Sequence, residues 1–211
     1  MQTYGRTPAQ YVEDLGWLGP DVWLAHCVHL SDEAVGRLAA SDTAVAHCPT
    51  SNGRLGSGIA PVRALLAAGA PVGLGVDGSA SNESGAMINE SHQALLSARL
   101  RNGPLALTVR QALQLATMGG ARCLGRADEI GSLEPGKLAD VALWQVGGLA
   151  GAGIVDPVAT LVLGSPTLEY LLVGGRPVVT GGNLVTADAD ALATAAARAS
   201  AQIAERARAR A

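Results

Sequence analysis

Three short apolar runs at module-length intervals constrain this chain more than any other feature: VWLAH (22–26), TAVAHCP (43–49) and PVGLGV (71–76). Each is too short for a helix and too apolar for a loop. After the first comes LSDEAVGRLAAS, where Ser31 can cap a helix with Asp32 and Glu33 in its first turn. After the second comes TSNGRLGSG, which reads as a loop. IAPVRALLAAGA follows as a helix, with Pro61 in its first turn and Gly69 as its stop. Near-continuous apolar strands alternating with helices predict an α/β fold with parallel strands covered on both faces. INESHQALLSARL (88–100) and TVRQALQLATMGGARCLG (108–125) extend the helical pattern.

All three runs end in a polar residue suited to metal binding or acid–base chemistry: His26, His47 and Asp77. In VGLGVDGSASN the apolar strand stops at an aspartate, which a strand interior disfavours. The separations, 21 residues from His26 to His47 and 30 from His47 to Asp77, each fit one strand–helix module. In a parallel barrel the C-terminal strand ends converge on one site. Imidazole and carboxylate groups both bind zinc or iron(II), and a bound ion brings the pKa of water toward neutrality. The plainer alternative is three hydrogen-bonded structural residues. Their shared placement at successive strand ends favours the chemical reading.

From about residue 130 the texture changes. GSLEPGKLADVALWQV and ATLVLGSPTLEYLLVGGRPVVTGGNLV read as short β runs divided by Gly and Pro turns. DALATAAARASAQIAERARARA reads as a terminal helix. The boundaries are drawn at 1–130, 131–186 and 187–211.

Composition narrows the function classes. Of 211 residues 48% are hydrophobic, none is Phe, and the formal charge is −3. With no basic stripe or interleaved aromatics, nucleic acid is not an expected partner. No apolar run of transmembrane length is present, so neither is a membrane. MQTYGRTPAQYVEDLGW has neither a basic nor an apolar signal-peptide region. Three cysteines without framework spacing suit a reducing, cytoplasmic setting. Cys27 and Cys48 each follow a strand-end histidine, so alternation turns them to the opposite face as small core residues. His29 reads as part of a helix start and His92 as structural within a helix. GLGVDG lacks the residue order of either nucleotide fingerprint.

At these residues the chain resembles a known family. WLAHCVHLSDEAVGRLAASDTAVAHCPTSNGRLGSGIAPVRALLAAGAPVGLGVDGSASN is similar to the last three strands of the amidohydrolase-superfamily barrel, in the cytosine/guanine deaminase and triazine hydrolase branch. AHCPTSNGRLGSGIAPVRALLAAGAPVGLGVDGSASN and TMGGARCLGRADEIGSLEPGKLADVALW most resemble the bacterial 8-oxoguanine deaminases of that branch. The resemblance implies the C-terminal part of a (β/α)8 TIM barrel, strands six to eight with the following helices, plus part of a small β-sandwich. It implies one divalent metal ion, zinc first and iron second, and a small heterocyclic substrate. It implies Asp77 as metal ligand and as acceptor of a proton from the attacking water. His26 would orient or polarise the attacked centre, and His47 would serve the substrate pocket or stand behind it. The implied reaction is hydrolytic deamination of an amino-substituted purine or related ring, 8-oxoguanine giving urate and ammonia. A guanine deaminase or a hydroxyatrazine-type aminohydrolase is the alternative within the class. A homo-oligomer is implied for the full-length protein.

The chain also departs from the family. The His-x-His of strand one and the His-x-x-Glu of strand five occur nowhere in it. The expectation is a C-terminal portion that begins near the connection between strands five and six, with Met1 as a truncation point or mistaken start. It carries one metal ligand and is inactive alone. A non-catalytic half-barrel scaffold is the competing expectation from another class.

Overall fold

The three apolar runs lie side by side. In the computed structural model, which describes residues 4–209, β1 (Trp23–Ala25), β2 (Ala44–His47) and β3 (Val72–Leu74) form a parallel sheet in that order. Leu24, Val45 and Val72 stand in register across it, as do Ala25, Ala46 and Gly73. Alternation gives the sheet two unlike faces. On one, Val45, Val72 and Leu74 join Leu38, Leu65, Leu95 and Leu107 in the buried core, with Leu24 packed against it. The other presents Ala25, Ala46 and Gly73. A methyl group at Gly73 would meet Gly120 Cα and Cys123 Sγ, each at 2.9 Å. One at Gly119 would collide with the Val72 carbonyl. The Gly119–Gly120 pair is therefore what lets a helix lie directly on β3.

The helices form where local chemistry directs. Helix α1 (Pro8–Asp14) opens with a Thr7–Gln10 capping box. In α2 (Asp32–Ala40) Ser31 accepts the Ala34 N–H, and Ala34, Val35 and Leu38 supply the buried face. A short α3 (Pro49–Arg54) directly follows β2. Helix α4 (Val62–Ala68) stops at Gly69, whose φ of 85° makes it a left-handed cap. Helix α5 (Met87–Asn102) precedes α6 (Val109–Gln114), which runs through a π turn (Leu115–Gly119) into α7 (Gly120–Cys123). Helix α8 is Pro157–Leu163 and α9 is Ala189–Arg208.

Two expectations are corrected here. TSNGRLGSG is not all loop, because Pro49 starts α3 and residues through Arg54 are helical. Within the expected β series, 157–163 is helical: Asp156 accepts the Val158 N–H and Pro157 takes the first helical position. A smaller shift puts Pro61 at the N-cap of α4 rather than inside its first turn.

The chain divides into two compact units, one running through Lys137 and resuming at Val146–Ser165, the other made of Leu138–Gln145 and the residues from Pro166 onward. The second unit holds an antiparallel sheet of β4 (Val141–Gln145), β5 (Thr167–Val173), β6 (Arg176–Thr180) and β7 (Asn183–Leu184), in that order. It also holds α9, which Asp188 caps and which buries none of its residues. Among the described residues, no helix is long and apolar enough to cross a membrane.

Candidate active site

Strain marks the C-terminal ends of β1 and β3. His26, Cys27 and Asp77 all adopt positive φ, at 66°, 50° and 61°. Each costs of order 1 kcal/mol or more for a residue with a Cβ. The ladder nevertheless continues to these points: His26 N–H donates to Ala46 O at 2.9 Å, and Gly75 N–H to His47 O at 2.9 Å. Only beyond the ladder does the backbone turn, and there it brings His26 and Asp77 together. His26 Nε2 lies 3.7 Å from Asp77 Oδ2.

Both groups are held from α3. Ser51 Oγ donates to Asp77 Oδ2 at 2.5 Å, and Asn52 Oδ1 lies 2.8 Å from His26 Nδ1. Ser81, from the loop after β3, adds a second hydroxyl to Asp77 Oδ2 at 3.1 Å and lies 2.9 Å from Ser51 Oγ. The Ser51 hydroxyl, the Gly78 N–H and Ser81 hold the Asp77 carboxyl below its ordinary pKa, and burial opposes them. Asp77 is thus kept as carboxylate. With Asn52 Oδ1 accepting, Nδ1 carries a proton, and in the neutral ring Nε2 is a lone pair. In that neutral tautomer two electron-pair donors face each other across 3.7 Å. A cation or a water fits that arrangement.

The donor set bears on the metal the family implies. Asp77 could supply one oxygen ligand, and His26 stands beside it. Among the described residues, however, no group of three or more His, Cys, Asp or Glu side chains is placed to hold an ion. The site fits a metal as one part of a larger ligand set.

His47 is placed differently. It shares the face of Val45, and it is 1% exposed with no partner for either ring nitrogen among the described residues. Burial first, and the His26 charge second, push its pKa down to about 4. Of the two roles expected for His47, this burial fits a place in the packing behind the site rather than contact with substrate. Side-chain alternation along β2 sends it there, while the backbone turn at Asp77 keeps that residue in the open.

The cysteines behave as small core residues. Burial pushes the thiols of Cys27 and Cys48 up to about 11, with each other's or Asp77's charge secondary. His92 Nδ1 contacts the Val162 carbonyl at 2.9 Å from within α5, a structural bond. His29 is exposed, two residues before the α2 cap. A cavity of about 800 Å³ opens beside Pro20, Asp42 and Pro71 at the N-terminal strand ends and is lined by none of His26, His47 or Asp77.

Sequence reasoning missed Ser51, Asn52, Ser81, Asn82 and Glu90. A signal for four of them exists. A Ser–Asn pair follows His47 at offsets of four and five, and another follows Asp77 at the same offsets. All four are less than a tenth exposed, which is unusual for such residues unless they are bonded.

Residues 3–183 match the amidohydrolase family. The chain belongs to that family. It is 47% identical over 193 residues to an 8-oxoguanine deaminase of Pseudomonas aeruginosa, covering 91% of this chain and 43% of that protein. It is 40% identical to an isoxanthopterin deaminase from an unknown prokaryote, over 83% of this chain and 40% of that one. Among solved structures, an adenosine deaminase from Xanthomonas campestris with bound zinc superposes with a TM-score of 0.92 at 30% identity, covering 97% of this chain and 47% of that one. The atrazine chlorohydrolase of Arthrobacter aurescens complexed with zinc gives 0.86 at 36% identity, covering 92% and 44%. The chain thus spans less than half the length of these relatives.

Proposed function

We propose that this chain supplies the last three strands and following helices of a (β/α)8 barrel, with part of a small β-sandwich, to a metal-dependent hydrolytic deaminase. Its substrate is an amino-substituted purine or related heterocycle, with 8-oxoguanine, water in, urate and ammonia out, as the first choice. One observation carries the reading: the Asp77 carboxylate, kept ionised by two serine hydroxyls, faces His26 Nε2 across 3.7 Å at the ends of the two parallel strands that flank β2. The deaminases among the relatives support the substrate class. A divalent ion held in part by Asp77 would supply an activated water. Asp77 accepts the proton of the attacking water, and its low pKa lets it pass that proton on toward departing ammonia. The His26 ring, its Nδ1 fixed by Asn52, turns Nε2 toward the same space and orients the attacked ring there. Acid–base help of this kind is worth roughly 10²–10⁴-fold in rate.

The likeness to atrazine chlorohydrolase supports a second reading within the same chemistry, hydrolysis of a substituted triazine. The test is a substrate panel on the protein at its full natural length: 8-oxoguanine, guanine, cytosine, chlorotriazines and hydroxyatrazine-type compounds, followed by ammonia, alkylamine and chloride release. Turnover of 8-oxoguanine above the others supports the first choice. Release of chloride or alkylamine from triazines alone replaces it with the second, and no hydrolysis of any overturns both.

A further inference from the structure

Glu90 is a carboxyl residue in the first turn of α5 that is 0% exposed. No ion pair among the described residues includes it. A buried carboxyl group without a cation is costly, and its hydrogen bonds must hold it there. Both oxygens are used. Oε1 accepts Asn82 Nδ2 at 2.8 Å, and the same amide nitrogen also donates to Val76 O at 2.8 Å. Oε2 accepts the Thr50 backbone N–H at 3.2 Å, from a residue 40 positions earlier. That second bond does what Cys48 does not: the residue before α3 makes no side-chain cap bond, so Glu90 caps α3 from another helix.

These two bonds end on segments with one thing in common. Thr50 adjoins Ser51 and Asn52, which hold Asp77 and His26. Asn82 adjoins Ser81, which holds Asp77 from the other side. If this position asked only for packing, an apolar residue would meet the need at lower cost. We propose that Glu90 is a positioning residue, a carboxylate tie between the two Ser–Asn segments that sets the Asp77 carboxylate and the His26 ring relative to each other. This rests on the deaminase reading of the Asp77 site and adds a residue that never touches substrate.

The test is Glu90→Gln in the protein at its full natural length. Glutamine keeps the volume but can satisfy only one of the two donors, since its own amide nitrogen must face the other. Expected is a loss in kcat of ~10–100-fold with KM within about threefold, and zinc retention against a chelator weakened by a similar factor. Wild-type kcat and zinc retention in folded Glu90→Gln overturn the inference. So does a fall in melting temperature alone. If Glu90→Gln does not fold, Asn82→Ser removes the other end of the tie and is judged by the same two readouts. Should the wild type hydrolyse no heterocycle, the deaminase reading falls and zinc retention alone decides for or against Glu90. An active wild type matched by Glu90→Gln in kcat and zinc retention sinks the tie and leaves the deaminase reading standing.

Discussion

Acid should destabilise this protein through His47, whose ring is buried on the Val45 face of β2. Its nitrogens have no partners among the described residues, and burial lowers its pKa to about 4 against an ordinary value of 6.5. The unfolded chain takes a proton on this ring as pH falls through 6.5, whereas the folded chain does not until about 4. Between those values the unfolded state binds more protons, so stability falls with pH. Above the window the contribution vanishes, and below it the loss is complete at about 3 kcal/mol. At pH 5 the loss is about 2 kcal/mol. His47→Leu removes the titrating group, breaks no hydrogen bond and nearly conserves volume, so at pH 8 it should lie within about 1.5 kcal/mol of wild type. Urea unfolding of both proteins from pH 8 to pH 4.5 isolates the effect, because other titrating groups cancel in the difference. The variant should gain on wild type by about 2 kcal/mol between pH 8 and pH 5. Parallel pH profiles for the two proteins would refute the argument.

Three other outcomes follow from the structure. The 211-residue chain expressed alone should show no deaminase activity and no stoichiometric zinc after dialysis, since it presents a single carboxylate ligand; a full equivalent of retained zinc by elemental analysis contradicts this. Gly73→Ala should cost about 1–3 kcal/mol, because the added methyl meets the Gly120 backbone rather than a side chain that can move; an unchanged urea midpoint would show that the helix shifts freely. Cys27 and Cys48 should react with iodoacetamide at pH 7.5 far more slowly in the native protein than in urea, because burial keeps both as thiols; equal rates would place them at the surface.

The strand–helix alternation was legible because it depends on local signals: Ser31 as a cap, Gly69 as a stop, and apolar runs too short for helices. His26 and Asp77 were legible because they interrupt such runs at one end of the sheet. Their supports were not. Ser51, Asn52 and Ser81 have the composition of a turn, and only the folded paths of α3 and of the loop after β3 turn them inward. Pro49 closes the apolar run TAVAHCP in the sequence although it opens a helix. For His47 the sequence left two roles open, in the substrate pocket or behind it. Its position along the strand is equivalent to that of His26, but regular alternation carries it to the Val45 face, whereas His26 follows a backbone turn at positive φ. Glu90 had no signal of its own, since a glutamate in the first turn of a helix is ordinary and its two partners come from distant segments.

The central claim is that β3 ends in a carboxylate delivered to a metal. The most direct measurement is the zinc content of Asp77→Asn, at the protein's full natural length, after exhaustive dialysis. Wild type should hold about one zinc per chain and the variant close to none, with turnover lost alongside. A variant that keeps both the zinc and the wild-type rate would show that Asp77 serves some other purpose.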